Sequence, residues 1–420
     1  MGKTRIEQST AGTCLATLKN GMRVVLAPCE AESVAVGLFV ESGSRHETER
    51  TAGISHFIEH MLFKGTPTRS PLDITRAIEG RGGNFNAMTG EESTCYYAHM
   101  PDDYLGEAID ILSDMYLRAT IPDEEFEREK HVILEEIKMY EDEPDAVAME
   151  NLQRCLFPAS RLGAPVAGSA KSLLPLKAQD LRRYMKSHYR ADNTIAVIVG
   201  RFDVGEAIRL VEDAFRRLKG ARGGCAAAHG TEKFGRVVPS VVKAKDVQQT
   251  QLVLGYRTFG VGDERKYAAT VMDAVLGRGM SSRLFQEVRE KRGLSYDIAS
   301  RMQFFRDAGM FVVAAGVDSA KADKTVEVVD RELAKLCERG VSAAELARTK
   351  EFLVGNFRLS HEKVTSKLFF YGATMMSYGR LVMPSEQVDG IKAVTREDVQ
   401  SVARAILRKG ARCLSRVVPK

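Results

Sequence analysis

His56-Phe57-Ile58-Glu59-His60 stands just past a plausible strand and opens an amphipathic stretch that runs to Lys64. If that stretch is helical, the two histidines lie one turn apart on one face, where both imidazoles reach one metal ion, and Glu59 lies beside them. Such a set suits a zinc site that activates water, which needs three protein ligands, an open position and a base that is not a ligand. Five residues alone also arise by chance, and a histidine on a helix is commonly a surface or partly buried side chain. A third ligand elsewhere in the chain decides between the two.

Upstream, Thr13–Leu18, Arg23–Leu26 and Val34–Val40 run in alternating or β-branched residues, with Asn20-Gly21 as a hairpin signal between the first two. Helix is expected over Arg50–Lys64 and Pro71–Glu79, then a second hairpin from Asn84–Thr89 and Ser93–Met100. Helical spacing continues through Asp102–Ala119, the long charged segment Asp123–Glu141, Ala146–Leu156, Ala178–Ser187 and Val204–Leu218, with a strand at Thr194–Gly200.

Residues 219–235, rich in glycine and alanine and poor in apolar bulk, read as a linker between two halves, 12–218 and 236–420. The second half repeats the order of the first. It offers strand Gln251–Tyr256, helices Arg265–Leu276 and Ser282–Lys291, strands near Leu294–Phe304 and Gly309–Gly316, helices Ser319–Glu338, Ser342–Ser377 and Arg396–Leu407, and a last short strand. The fold class is therefore α+β, one unit used twice by internal duplication. In that register Ala269, Met272 and Asp273 replace His56, Glu59 and His60, so only the first copy is equipped to hold a metal.

Composition narrows the function. A net charge of +5, from 61 basic against 56 acidic residues and without a long Lys/Arg run, gives no case for nucleic acid. Seven dispersed cysteines without a C-x-x-C pair read as reduced thiols in a cytoplasmic protein. Met1–Thr10 lacks an apolar core, and no stretch approaches the length of a membrane span, so neither export nor a membrane partner is expected.

For a third ligand the acidic helix Asp123–Glu141 offers several carboxylates. Glu129 and Glu136 are seven apart on one stripe, beside an apolar seam of Phe126, Ile133, Ile137 and Tyr140. Spacing leaves Glu129, Glu135 and Glu136 as comparable candidates.

His56-x-x-Glu59-His60 is the inverted zinc motif, and with Glu129-Lys130-His131-Val132-Ile133-Leu134-Glu135-Glu136 the chain resembles the M16 (pitrilysin-like) metallopeptidases, in particular the short branch that includes the mitochondrial processing peptidase β subunit. The resemblance runs from about Ala16 to Leu414. It implies two homologous α/β-sandwich domains of the LuxS/MPP-like metallohydrolase type. It implies one Zn2+ per chain on His56, His60 and Glu136, Glu59 as general base, and Glu129 as a supporting acid. Gly83-Asn84-Phe85-Asn86-Ala87-Met88-Thr89 resembles the family's active-site edge strand, which makes Asn86, Ala87 and Thr89 substrate-binding candidates by strand addition. Phe285 to Tyr296 resembles its C-terminal signature, in which Arg289 and Tyr296 reach the active site and aid the oxyanion.

The implied activity is a zinc endopeptidase for peptides or unfolded, presequence-like segments enclosed in a chamber. The zinc motif and the Arg/Tyr signature share one chain, which implies a homodimer whose partner completes the site. Glu141, Asp142, Glu143 and Asp145 raise a preference for basic substrates, against the plainer reading of a solvated helix end. The alternative from another class is a non-catalytic scaffold subunit of a heteromeric complex.

Overall fold

Val34-Ala35-Val36 and Ile195-Ala196-Val197-Ile198-Val199 are β-branched or small with no polar interruption, the pattern of strands covered on both faces. In the protein, seen here as a computed structural model that describes residues 4–8, 12–220 and 233–420, with Lys409 by its backbone alone, they form the centre of a seven-stranded sheet. Its strands are β1 (Arg5–Gln8), β2 (Cys14–Thr17), β3 (Arg23–Pro28), β4 (Ser33–Val40), β5 (Asn84–Thr89), β6 (Thr94–Pro101) and β7 (Thr194–Gly200). The order β1-β2-β3-β7-β4-β6-β5 leaves β5 at one edge.

Alternate residues of the central strands feed two apolar layers. Val24, Leu26, Val36, Leu38 and Ile198 point into a core shared with α1 (Ile54–Leu62), α2 (Pro71–Glu79), α3 (Leu105–Arg118) and part of α4 (Asp123–Asp142). Val25, Ala35, Phe39, Ile195 and Val197 point to the other face. Further along the chain come α5 (Pro144–Leu156), α6 (Ala170–Leu173), α7 (Ala178–His188) and α8 (Val204–Phe215); α7 and α8 join the first core.

A second sheet, ordered β10-β11-β9-β12-β8, is built from β8 (Ser240–Lys245), β9 (Thr250–Phe259), β10 (Ser295–Phe304), β11 (Ala308–Val317) and β12 (Arg412–Pro419). One face packs on α9 (Lys266–Gly277), α10 (Ala322–Arg339) and α14 (Arg396–Ile406). Two more helices, α11 (Ala343–Ser360) and α12 (Val364–Tyr378), precede α13 (Pro384–Ala393).

The compact units are discontinuous in sequence. One comprises residues 1–137, 164–232 and 360–381, the other residues 138–163, 233–359 and 382–420. Helix α12 covers the second face of the first sheet through Val364, Leu368, Tyr371 and Met375, and α5 covers the second sheet through Val147, Leu152 and Leu156. A Cβ on Gly372 would lie 2.1 Å from the Phe39 ring, so only glycine lets α12 come this close to β4.

Several expectations need correction. The helix expected over Ser342–Ser377 is two helices, broken at residues 361–363, because its second part belongs to a different core from its first. The helix expected over Ser282–Lys291 contains a π-helical turn, Phe285–Glu290. Strands β1 and β8 and helix α13 were not anticipated, and Tyr140, expected in the seam of α4, is 44% exposed. The linker expectation rests mainly on residues 221–232, outside the described residues. The six described cysteines are free, and among the described residues no helix is long and apolar enough to cross a membrane.

Candidate metal centre

Helix α1 has nine residues, and its apolar face, Ile54, Phe57, Ile58, Met61 and Leu62, is fully buried. That burial turns His56, Glu59 and His60 to the opposite, half-buried face. Helix α4 is seated by Phe126 and Ile133. The Phe57 and Phe126 rings stack with centroids 4.6 Å apart and planes at 6°, so an apolar contact sets the register between the two helices that carry the polar groups.

One ligand atom each from His56, His60 and Glu136 lies within 4.8 Å of the others, the one such group among the described residues. Both imidazoles present Nε2 to the same oxygen, Glu136 Oε2, at 3.8 Å from His56 and 3.4 Å from His60. Two atoms bound to one tetrahedral zinc ion stand about 3.3 Å apart. The donor set and spacing therefore fit zinc. On the far side of its ring, His56 Nδ1 is buried without a hydrogen-bond partner.

Glu129 and Glu135 are resolved by geometry. Glu135 is exposed. Glu129 is buried and meets the other nitrogen of His60, Nδ1 to Oε2 at 3.1 Å. A carboxylate there fixes the ring and leaves Nε2 for the metal side. Lys64, one turn past His60, forms an ion pair with Glu129 Oε1. This lysine was missed in the sequence, where its only signal is a cation four residues after His60. Burial pushes the Glu129 carboxyl up, but the hydrogen bonds from His60 and Lys64 outweigh it and hold it below its ordinary range.

The two histidines are opposed in their proton affinity. Burial and the neighbouring His60 pull His56 down, only partly offset by Glu136 and Glu59. Burial also opposes a charge on His60, yet its hydrogen bonds to Glu129 and Glu136 raise it from 6.5 to about 9.

Edge strand β5 runs beside α1. Phe85, Ala87 and Thr89 are half-buried on one face, and Asn84, Asn86 and Met88 are exposed on the other. Thr89 donates its hydroxyl to Glu59 Oε2 at 2.6 Å, which ties the strand to the base candidate. Asn86 turns its Oδ1 back to accept the Ala87 N–H at 2.8 Å.

Arg289 and Tyr296 belong to the other unit and are brought together there. The Arg289 guanidinium lies 4.7 Å from the centroids of both Phe285 and Tyr296, and Tyr296 is 82% exposed. The second-half counterparts Ala269, Met272 and Asp273 are completely buried, with Asp273 bound to Arg278, Ser300 and the Met302 N–H. Glu141, Asp142, Glu143 and Asp145 are exposed.

Residues 23–170 match the Insulinase (Peptidase family M16) domain, and residues 175–353 match the Peptidase M16 inactive domain. An uncharacterized zinc protease of Bacillus subtilis is 36% identical over 391 residues, 93% of this chain and 94% of that one. One from Mycobacterium leprae is 34% identical over 402 residues, 95% and 90% of the two chains. Among solved structures, a protease from Helicobacter pylori has a TM-score of 0.90 at 21% identity, over 99% of this chain and 100% of that one. A chain of Complex III2 from Candida albicans has a TM-score of 0.84 at 19% identity, over 96% and 95%. At such identities the likeness concerns the fold alone. The fold is the two-unit α+β fold shared with structures of M16 peptidases. The chain belongs to the M16 peptidase family.

Proposed function

We propose that this chain is a zinc endopeptidase that hydrolyses peptides or unfolded, presequence-like segments, and that it works as a cytoplasmic homodimer. The observation that carries the proposal is the convergence of two imidazole Nε2 atoms on one oxygen of Glu136, with Glu59 on the same helical face. A zinc ion held by His56, His60 and Glu136 would polarise the scissile carbonyl and lower the pKa of the attacking water. Glu59, oriented by the Thr89 hydroxyl, takes a proton from that water and hands it to the amine as the C–N bond breaks. The open edge of β5 grips an extended substrate by main-chain pairing. Glu129 and Lys64 hold His60 in the ring orientation that faces the metal. Arg289 and Tyr296 serve the zinc site of a partner subunit, where guanidinium and phenol steady the oxyanion.

The test is cleavage of a quenched peptide by purified protein of measured zinc content. Chelator should abolish cleavage and added zinc restore it. His60→Ala should lose the metal, whereas Glu59→Gln should keep it and lose about 10²- to 10⁴-fold in rate. Cleavage indifferent to chelator would remove the proposal. A protein that holds zinc yet cuts nothing in a broad peptide set favours the scaffold reading, with which the likeness to the Complex III2 chain is also compatible.

A further inference from the structure

The start of α1 poses a problem that its own sequence does not solve. Its N-cap is Gly53, at φ +90° and without a side chain to accept the first orphan N–H groups. A nine-residue helix is marginal without outside support. Yet His56, Glu59 and His60 all lie within its first seven residues.

The missing acceptor comes from upstream. Glu47, only 4% exposed, directs both carboxylate oxygens at this terminus. Oε2 accepts the Gly53 N–H at 2.7 Å and Oε1 the Ser55 N–H at 2.9 Å. A negative charge at a helix N-terminus is favoured by the peptide dipoles as well as by the two bonds. The first turn is held from a second side by Tyr184 of α7, whose phenol oxygen accepts hydrogen bonds from Ser55 Oγ at 3.3 Å and Ser42 Oγ at 3.1 Å. At Gly53 itself a Cβ would lie 2.6 Å from the Ala167 carbonyl oxygen, so the backbone is closed in from a third direction.

We infer that Glu47 is a positioning residue for the metal centre: its bidentate grip on the Gly53 and Ser55 amides sets the rotation and height of α1, and with them the aim of both imidazoles and of Glu59. It acts through the helix and is not one of the three residues that would hold the metal. The inference rests on the reading that His56, His60 and Glu136 hold a zinc ion.

Glutamine in its place keeps one acceptor but turns an NH2 group toward an N–H, so one of the two bonds is lost and two donors face each other. Alanine loses both. Zinc affinity, measured in the full-length protein by competition with a chromophoric chelator, should fall by about tenfold in Glu47→Gln and further in Glu47→Ala, within the range usual for supports of metal ligands. The visible bands of the cobalt(II)-loaded protein should shift, and kcat should fall with KM unchanged. Thr395→Ala, which removes the cap of helix α14 in the other unit, is the control. It should lower Tm and leave zinc affinity and the cobalt spectrum as they are.

A Glu47→Gln protein with a lowered Tm but wild-type zinc affinity and cobalt bands would overturn the inference. If Glu47→Gln does not fold, Tyr184→Phe loosens the same turn from the other side. It should weaken zinc binding in the same direction by a smaller factor, and unchanged affinity there would overturn the inference. A wild-type protein that binds no zinc would instead bring down the reading of the site, an outcome distinguishable because it appears before any variant is made.

Discussion

His60 is the residue at which protons and metal compete. Its Nδ1 faces Glu129 and its Nε2 faces Glu136, and between them these bonds raise it from 6.5 to about 9 despite burial. In the metal-free protein it therefore carries at neutral pH a proton that zinc must displace. Apparent zinc affinity should rise about tenfold per pH unit as the pH approaches 9 and level off above it, as chelator competition across pH would record. The sign for folding is the opposite. A folded-state value above the unfolded one stabilises the metal-free protein in full below pH 6.5, and that contribution is lost as pH rises through about 9. Melting of chelator-treated protein across that window should show Tm falling. A second expectation concerns Thr89, whose hydroxyl is bound to Glu59. Thr89→Val keeps the volume and removes the donor, and kcat should drop roughly tenfold or more, the worth of a hydrogen bond to a charged group, with zinc content unchanged. At this scale the sequence was readable where chemistry is local. Positions 56, 59 and 60 share a face by helical periodicity alone. The choice between Glu129 and Glu136 was not readable, since both lie on one stripe of α4 and differ only in which nitrogen of His60 each one meets.

The pairing of α1 with α4 rests on the stacked rings of Phe57 and Phe126, with the Lys130 ammonium 4.6 Å from the Phe126 centroid. Phe126→Ala should cost about 3–5 kcal/mol by denaturant unfolding. It should also weaken zinc binding, because Glu136 and the histidines are carried on opposite sides of that contact. Retained affinity in a destabilised variant would show that the polar groups find their positions without it. Elements with local signatures were legible. Helix α2 is bounded by Ser70-Pro71, where the Ser70 hydroxyl accepts the Asp73 N–H, and β5 and β7 have the limits their alternation or β-branched runs predict. Strand β8 escaped because its partner is β12, in parallel and some 170 residues away by the paired positions Ser240 and Leu414. The break between α11 and α12 escaped because His361-Glu362-Lys363 contains neither proline nor glycine to mark it, and what parts the helices is the core each must reach.

For the whole molecule, the repeat was visible in the order of strands and helices, but the way its copies are completed was not. Helices α5 and α12 each follow a break, at residue 143 and at residues 361–363, and each covers a sheet belonging to the opposite half of the chain. Periodicity reports that a helix is apolar, not which sheet it will cover. Gly372→Ala tests the seat of α12: the added methyl meets the Phe39 ring, and overpacking should cost about 1–3 kcal/mol by denaturant unfolding. Assembly can be tested by mixing Glu59→Gln with Tyr296→Phe. If Arg289 and Tyr296 act across a homodimer, random exchange leaves one intact site in each heterodimer, and about a quarter of wild-type activity should return. Mixtures no more active than their parents would mean that each chain completes its own site.

The placement of α12 also bears on the chain as it leaves the ribosome. By residue 136 every donor of the metal cluster has been synthesised, but the apolar patch around Phe39 and Val197 waits for Val364 to Met375. A nascent chain must carry that bare patch from the completion of β7 until α12 emerges, so a fragment ending at residue 220 would contain all three donors and still be prone to precipitate. Supplying residues 233–420 as a separate polypeptide during expression should rescue its solubility, as the missing helix would then arrive in trans.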